Sequence, residues 1–224
     1  MNQTILTFDT DWCPDYMIEP ILKKIDHYKI KSTWFVTHDS PVIQSMKSNP
    51  LIELGIHPNF FPDSTQGKDI DHILYNLSNI VPDAVSVRTH SLYWSSKLLD
   101  RFDRYGLKFD SSLSLQNSKN LQPYKYKHVK VTRFPIYWAD DLSLQERNLD
   151  LNLEQEGLKI LDFHPVHIFL NSFDVANYSM AKQRGNWNEY VNHGTILGIK
   201  DTFEKTIESL SKQKTMTLKE LGEQ

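Results

Sequence analysis

Two carboxylates, Asp9 and Asp11, stand one residue apart in Leu6-Thr7-Phe8-Asp9-Thr10-Asp11-Trp12, where an apolar run ends. Residues two apart on an extended chain point to the same side, so these like charges face one way and repel. A cation, a shared proton, or a turn in which one carboxylate caps the next helix would each relieve that repulsion. Similar groups recur after later apolar runs. They are His57 and Asn59; Arg88 and His90; Trp138, Asp140 and Asp141; and Asp162, His164 and His167. Gathered in one place, such groups suit metal-assisted hydrolysis: oxygen and imidazole ligands hold a divalent ion, one carboxylate acts as base, and a further imidazole acts as acid. Singly, each has a plainer reading as a turn, a loop histidine, a core histidine bonded to backbone, or an arginine neutralising a neighbouring aspartate.

Bringing these groups together is the task of the elements between them. Short apolar runs at 4–8, 31–37, 51–56, 85–88, 108–111, 130–138 and 158–163 read as strands, and 215–218 as a closing strand. Helical spacing marks 15–28, with Ile18, Ile21, Leu22 and Ile25 on one face, and also 68–80, 95–105 and 200–213. A short helix at 40–47 has Ser40 as its cap and Pro41 at its first position. Alternating strands and helices imply parallel strands joined by helical crossovers, in either a closed or incomplete (β/α) barrel or an open doubly wound sheet. In both architectures the C-terminal strand ends meet at one mouth. No glycine-rich dinucleotide fingerprint follows the first strand, which disfavours a nucleotide-binding sheet. The segment 171–198, rich in asparagine and aromatic residues, is either a substrate-covering loop or an ordinary surface excursion.

The chain has 224 residues, 39% of them hydrophobic, and is read as a single domain, 1–224. A net charge of −3 gives no nucleic-acid footprint. One cysteine, Cys13, excludes an internal disulfide framework. No apolar run approaches the roughly 18 residues of a membrane span, and the first residues lack the pattern of a signal peptide. A cytoplasmic location is therefore expected.

In order along the chain, these segments resemble the polysaccharide deacetylases: carbohydrate esterase family 4, the NodB-homology domain. Leu6–Trp12 is similar to the family's Thr-Phe-Asp-Asp motif with one residue inserted between the aspartates. Ser32-Thr33-Trp34-Phe35-Val36-Thr37 is similar to its second strand, and Ile52–Phe60 to its Glu-Ile-Gly-x-His motif. Val87–Tyr93 resembles the arginine-led third motif, Phe134–Asp141 the tryptophan- and aspartate-bearing fourth, and Ile160–Pro165 the fifth, an apolar strand ending in histidine. His-Pro-Asn-Phe at 57–60 and the run 163–171 further resemble the branch found in O-antigen gene clusters.

The resemblance implies a deformed or incomplete (β/α) barrel and a metal-dependent hydrolase that removes N-acetyl groups from an amino sugar of a surface polysaccharide or its precursor. The implied cofactor is a divalent ion, Zn²⁺ foremost, with Co²⁺, Ni²⁺, Fe²⁺ or Mn²⁺ as substitutes. Asp9 matches the base, Asp11 and His57 metal ligands, His164 the acid and Arg88 the residue that orients the base. Trp138, with Asp140 or Asp141, would shape the pocket and hold that arginine. One position departs from the pattern: four residues after His57, where the family has a second histidine, this chain has Phe61. The third ligand then falls to His90, favoured because imidazole suits zinc and its relatives, or to Asn59 or His167. Two alternatives stay open: a degenerate domain that binds glycan or protein without hydrolysis, and an amidohydrolase for a non-sugar acylamine.

Overall fold

The computed structural model describes residues 2–125 and 128–224. Strand β1 (Gln3–Asp9) lies at the centre of a parallel sheet, between β2 (Ser32–Val36) and β9 (Leu158–Phe163). On one side the sheet continues through β3 (Ile52–Ile56), β4 (Ser86–Val87), β5 (Phe109–Asp110), β7 (Thr132–Arg133) and β6 (Tyr124–Lys125); on the other it ends in β8 (Ile136–Ala139). Among the described residues, only the β6–β7 pair is antiparallel. The sheet curls until residues 113–117, past β5, run against β8, with Ile136 N donating to Leu113 O at 2.8 Å and Asn117 N to Tyr137 O at 2.8 Å. This short contact joins the two ends and leaves a deformed, incomplete barrel.

Alternation along the strands separates chemistry from core. Leu6 and Phe8 point to the helix side, where Phe8 stacks on Trp34 at 4.1 Å and meets Phe203 of α8 (Ile199–Leu210) at 6.0 Å. Phe163, paired in register with Phe8, joins this aromatic cluster, and Trp138 lies 5.0 Å from Phe163. Thr7, Asp9 and Asp162 take the opposite face, since Asp162 pairs with Thr7. Gly55 on β3 makes room there. A Cβ at that position would lie 2.9 Å from the Phe35 ring and 2.8 Å from the Ser86 carbonyl.

Helices α1 (Asp15–Tyr28), α2 (Pro41–Met46), α3 (Ile70–Ile80) and α4 (Ser96–Arg104) fall where the sequence places them. Ser40, Asp69 and Ser95 cap the last three through their side chains. The expected strand 130–138 is two strands: Pro135 has no N–H to extend a ladder, so β7 pairs with β5 while β8 pairs with β9. The expected closing strand 215–218 is instead the cap and start of α9 (Leu218–Gly222), where Thr217 and Glu220 form a reciprocal capping box. Besides α9, three described helices in the second half escape the sequence reading: α5 (Asp140–Glu146), α6 (Pro165–Leu170) and α7 (Val175–Arg184). Segment 171–198 is thus partly helical.

Candidate active site

The chemistry-bearing residues meet at the C-terminal mouth of the sheet. Asp9 ends β1, and Asp11 follows in a tight turn at φ 40°. Thr37, just past β2, pins that turn: its Oγ1 accepts from Trp12 N at 2.9 Å and lies 2.9 Å from Thr10 Oγ1. His57 follows β3 directly, and Gln66 staples its backbone by donating to the carbonyls of Thr37 at 2.9 Å and His57 at 3.0 Å.

Arg88 is wholly buried behind this mouth. Its Nη1 donates to Asp9 Oδ1 at 2.9 Å and Asp162 Oδ1 at 2.6 Å, its other nitrogens donate to the carbonyl and hydroxyl of Ser111, and its Cζ lies 4.4 Å from the Phe35 ring centre. Arg88 is therefore held by Asp9 and Asp162, not by Asp140 or Asp141. Burial pushes the Asp162 carboxyl well above the usual range, with Arg88 opposing.

Asp11 lies among imidazoles. Its Oδ1 is 3.2 Å from His57 Nε2 and 3.1 Å from His90 Nδ1, and its Oδ2 is 3.7 Å from His164 Nε2. Burial alone would raise its pKa, but hydrogen bonds from His57 and His90 and the charge of His164 hold it well below the usual carboxylate range. His164 caps α6, with Nδ1 2.6 Å from Asp140 Oδ1 and its backbone N donating to Asp140 Oδ2 at 2.7 Å. Burial would lower the imidazole's pKa; the Asp140 carboxylate reverses this and holds it well above the ordinary histidine value.

Two small adjoining cavities share Asp11, Asp141 and His164. One, of about 60 Å³, is lined by Asp9, His57, His90 and Asp162 as well. The other, of about 200 Å³, is walled by His167, Leu144 and the α7 residues Val175, Tyr178 and Ser179. Burial and the neighbouring His164 push His167 down to about 3, so it stands neutral, with Nδ1 3.1 Å from Ser172 Oγ.

The structure thus brings together Asp9, Asp11, His57, Arg88, His90, Asp140, Asp141, His164 and His167. Trp138 stands apart: it is fully buried against Phe163 and does not reach the cavities. Asp140, also fully buried, serves His164 rather than the cavity wall. The Asn59 side-chain oxygen accepts from Phe61 N at 3.0 Å, closing a local turn. Sequence reasoning gave no role to Asp162, although its spacing two before His164 places it on the Asp9 face; Ser111, Gln66 and Tyr178 carried no comparable signal.

The donor set fits a divalent ion. One ligand atom each from Asp11, His57 and His90 lie within 4.8 Å of one another, and two imidazoles with an ionised carboxylate are ordinary zinc-type ligands. Among the described residues, two further groupings meet the same distance test, Asp140–His164–His167 and Asp9–Asp162–His164, but Asp140 already occupies His164 and Arg88 already occupies Asp9 and Asp162.

Solved structures with this fold include enzymes of the carbohydrate esterase family. WbmS of Bordetella bronchiseptica, assigned to the polysaccharide deacetylases and to O-antigen biosynthesis, superposes with a TM-score of 0.84 at 27% identity, covering 93% of this chain and 90% of that one. The peptidoglycan deacetylase PdaC of Bacillus subtilis gives 0.57 at 14% identity, covering 99% and 90%. A family 4 acetyl xylan esterase of Clostridium thermocellum, solved with a cobalt ion, gives 0.50 at 17% identity, covering 98% and 89%. No curated protein sequence matches the chain. The model of the WbmS-like polysaccharide deacetylases matches residues 6–182, and the chain belongs to that family. No helix among the described residues is long and apolar enough to cross a membrane.

Proposed function

We propose that this protein is a metal-dependent deacetylase that removes N-acetyl groups from an amino sugar of a surface polysaccharide or its precursor. The observation that carries this reading is the meeting of Asp11, His57 and His90 beside two buried acid–base pairs, Arg88–Asp9 and Asp140–His164. Asp11, His57 and His90 would hold the cation, His90 replacing the histidine that Phe61 displaces from the family motif. When bound, the ion would polarise the acetamide carbonyl and bring the pKa of a bound water down towards neutrality.

The remaining work belongs to side chains on the page. Asp9 Oδ1 is engaged by Arg88, and Oδ2, 3.6 Å from His57 Nδ1, would accept a proton from the attacking water. As the water oxygen bonds to the acyl carbon, the carbon–nitrogen bond breaks. His164 Nε2, whose Nδ1 is tied to Asp140, delivers a proton to the departing amine. Acetate and a free amino sugar result. The neutral His167 and Asp141 line the cavity in which the acylated sugar would sit.

The test is Asp9→Asn. Acetate release from N-acetylhexosamine saccharides is expected to fall by a factor of about 10² to 10⁴, while metal analysis finds the cation retained. Loss of the cation instead would undo the division of roles between Asp9 and Asp11. Equal wild-type turnover of simple acetylamines would move the substrate class away from sugars.

A further inference from the structure

Phe61 occupies the place of a family ligand, yet its ring is 46% exposed. It meets His90 edge-on at 6.5 Å and Tyr93 at 6.1 Å, and Tyr93 meets Phe60 at 6.3 Å. Trp12 reaches His90 at 5.4 Å. Trp12, Phe61 and Tyr93 come from three loops, after β1, β3 and β4, and Trp12 and Tyr93 are 36% and 45% exposed. Large rings contribute most when covered, so three left open together beside a catalytic cavity form a patch that calls for an occupant.

The backbone supports this arrangement at some cost. Asp11, Trp12, Ser91 and Leu92 have φ of 40°, 55°, 53° and 53°, in the left-handed region that non-glycine residues avoid. Side chains hold the two loops there: Thr37 fixes Trp12, and Thr89 Oγ1 donates to the Tyr93 carbonyl at 2.7 Å. Such conformations persist where surrounding structure over-determines them, often at binding sites.

Space and charge narrow the occupant. The cavity beside His164, about 200 Å³, is smaller than the roughly 300–1,000 Å³ of pockets for drug-sized ligands, and suits one sugar unit. Beyond His90, Phe61 and Phe60 line an open groove of about 500 Å³ at the start of α3. Among the described residues, the two catalytic cavities are lined by no lysine or arginine, and four aspartates line the smaller one. The groove carries balanced charge: Lys68 and Arg101 line it with Asp69 and Asp71, and Arg101 is tied to Asp71. Acidic cavity walls disfavour a diphosphate there. Open aromatic rings instead match the apolar C–H face of an uncharged pyranose.

We propose that Phe61 and Tyr93, with the groove beside them, form a saccharide subsite for the sugar ring glycosidically next to the one that loses its acetyl group, with Trp12 flanking it across His90. The proposal rests on the deacetylase reading and extends it: the preferred substrate has at least two sugar rings. Phe61 thus serves the substrate at the position where the family motif serves the metal.

Calorimetric titration of the zinc-loaded protein with N-acetylglucosamine and with its β-1,4-linked dimer tests the subsite. The dimer is expected to bind about tenfold more tightly, equivalent to about 1.4 kcal/mol. Phe61→Ala should abolish that ratio, and Phe61→Tyr, which keeps the ring, should retain it. A wild-type protein with no preference for the dimer overturns the proposal, as does Phe61→Ala with the preference intact. Acetate release, followed separately, keeps the two readings apart. Hydrolysis without dimer preference sinks the subsite alone; dimer preference without hydrolysis sinks the deacetylase reading and leaves a glycan-binding site.

Discussion

At the residue scale the decisive group is Arg88, a fully buried cation between Asp9 and Asp162. Two carboxyl groups share one guanidinium in a low-dielectric interior, and burial, with the Asp9 charge beside it, raises Asp162 and favours its protonated form. Removing the cation should therefore be costly beyond its own contacts. Arg88→Met is expected to destabilise the fold by about 3–5 kcal/mol, the usual penalty for leaving a buried partner uncompensated. Adding Asp162→Asn removes one of the two orphaned carboxyl groups, so the double variant should be more stable than Arg88→Met alone. Urea denaturation of the four proteins in this cycle measures the coupling; strictly additive losses would show that the trio does not act as a unit. Lysine is no substitute, since Arg88 uses all three of its nitrogens, with Nε and Nη2 engaged by Ser111.

At the element scale, α9 closes the pole opposite the active site, and buried Glu53 on β3 fastens it. Glu53 Oε2 accepts from Thr33 Oγ1 at 2.8 Å and from Lys219 N at 2.8 Å, and its Oε1 accepts from Ser86 Oγ. Burial raises the Glu53 pKa above its ordinary value, the hydrogen bonds opposing. The folded state then holds this proton more tightly than the unfolded state, so stability from Glu53 increases as pH falls through the raised value. Glu53→Gln cannot titrate. Its melting temperature relative to wild type should therefore drop progressively as pH falls from neutral towards the ordinary carboxylate range; a difference that stays flat with pH would show that Glu53 titrates as it does in the unfolded chain. The same helix shows where sequence reading fails. Met216-Thr217-Leu218 looks like a strand, but the Thr217–Glu220 capping box decides for helix. Strands β1, β2, β3 and β9 were legible because they are long, apolar and end in polar groups. Helices α5 and α6, with 7 and 6 residues, are too short to show periodicity. Arg88 and Asp162 lie 74 positions apart, and their pairing emerges only when the sheet is assembled. Asp9, Asp11, His57, His90 and His164 are all visible as strand-end residues, and the loop after β4 folds back so that His90, the imidazole favoured as third ligand, stands 3.1 Å from Asp11.

At the scale of the whole molecule, the candidate cation would join three loops that chain entropy otherwise leaves separate. Asp11 follows β1, His57 follows β3 and His90 follows β4, and just past β2, the strand between the first two, Thr37 pins the Asp11 turn. An ion that binds the folded chain and not the unfolded one stabilises it by mass action, by about 2.7 kcal/mol at 100 times its dissociation constant. Chelation should therefore lower the melting temperature, and added zinc or cobalt should restore it. His90→Ala removes the imidazole proposed to stand in for the family's second histidine. Its melting temperature should respond to neither chelator nor added ion at concentrations that saturate wild type, and metal analysis should find it empty. Should His90→Ala keep its metal and its thermal shift, the third ligand lies elsewhere in the mouth. His164 would be the next to exchange for alanine, because its Nε2 lies 3.7 Å from Asp11 Oδ2.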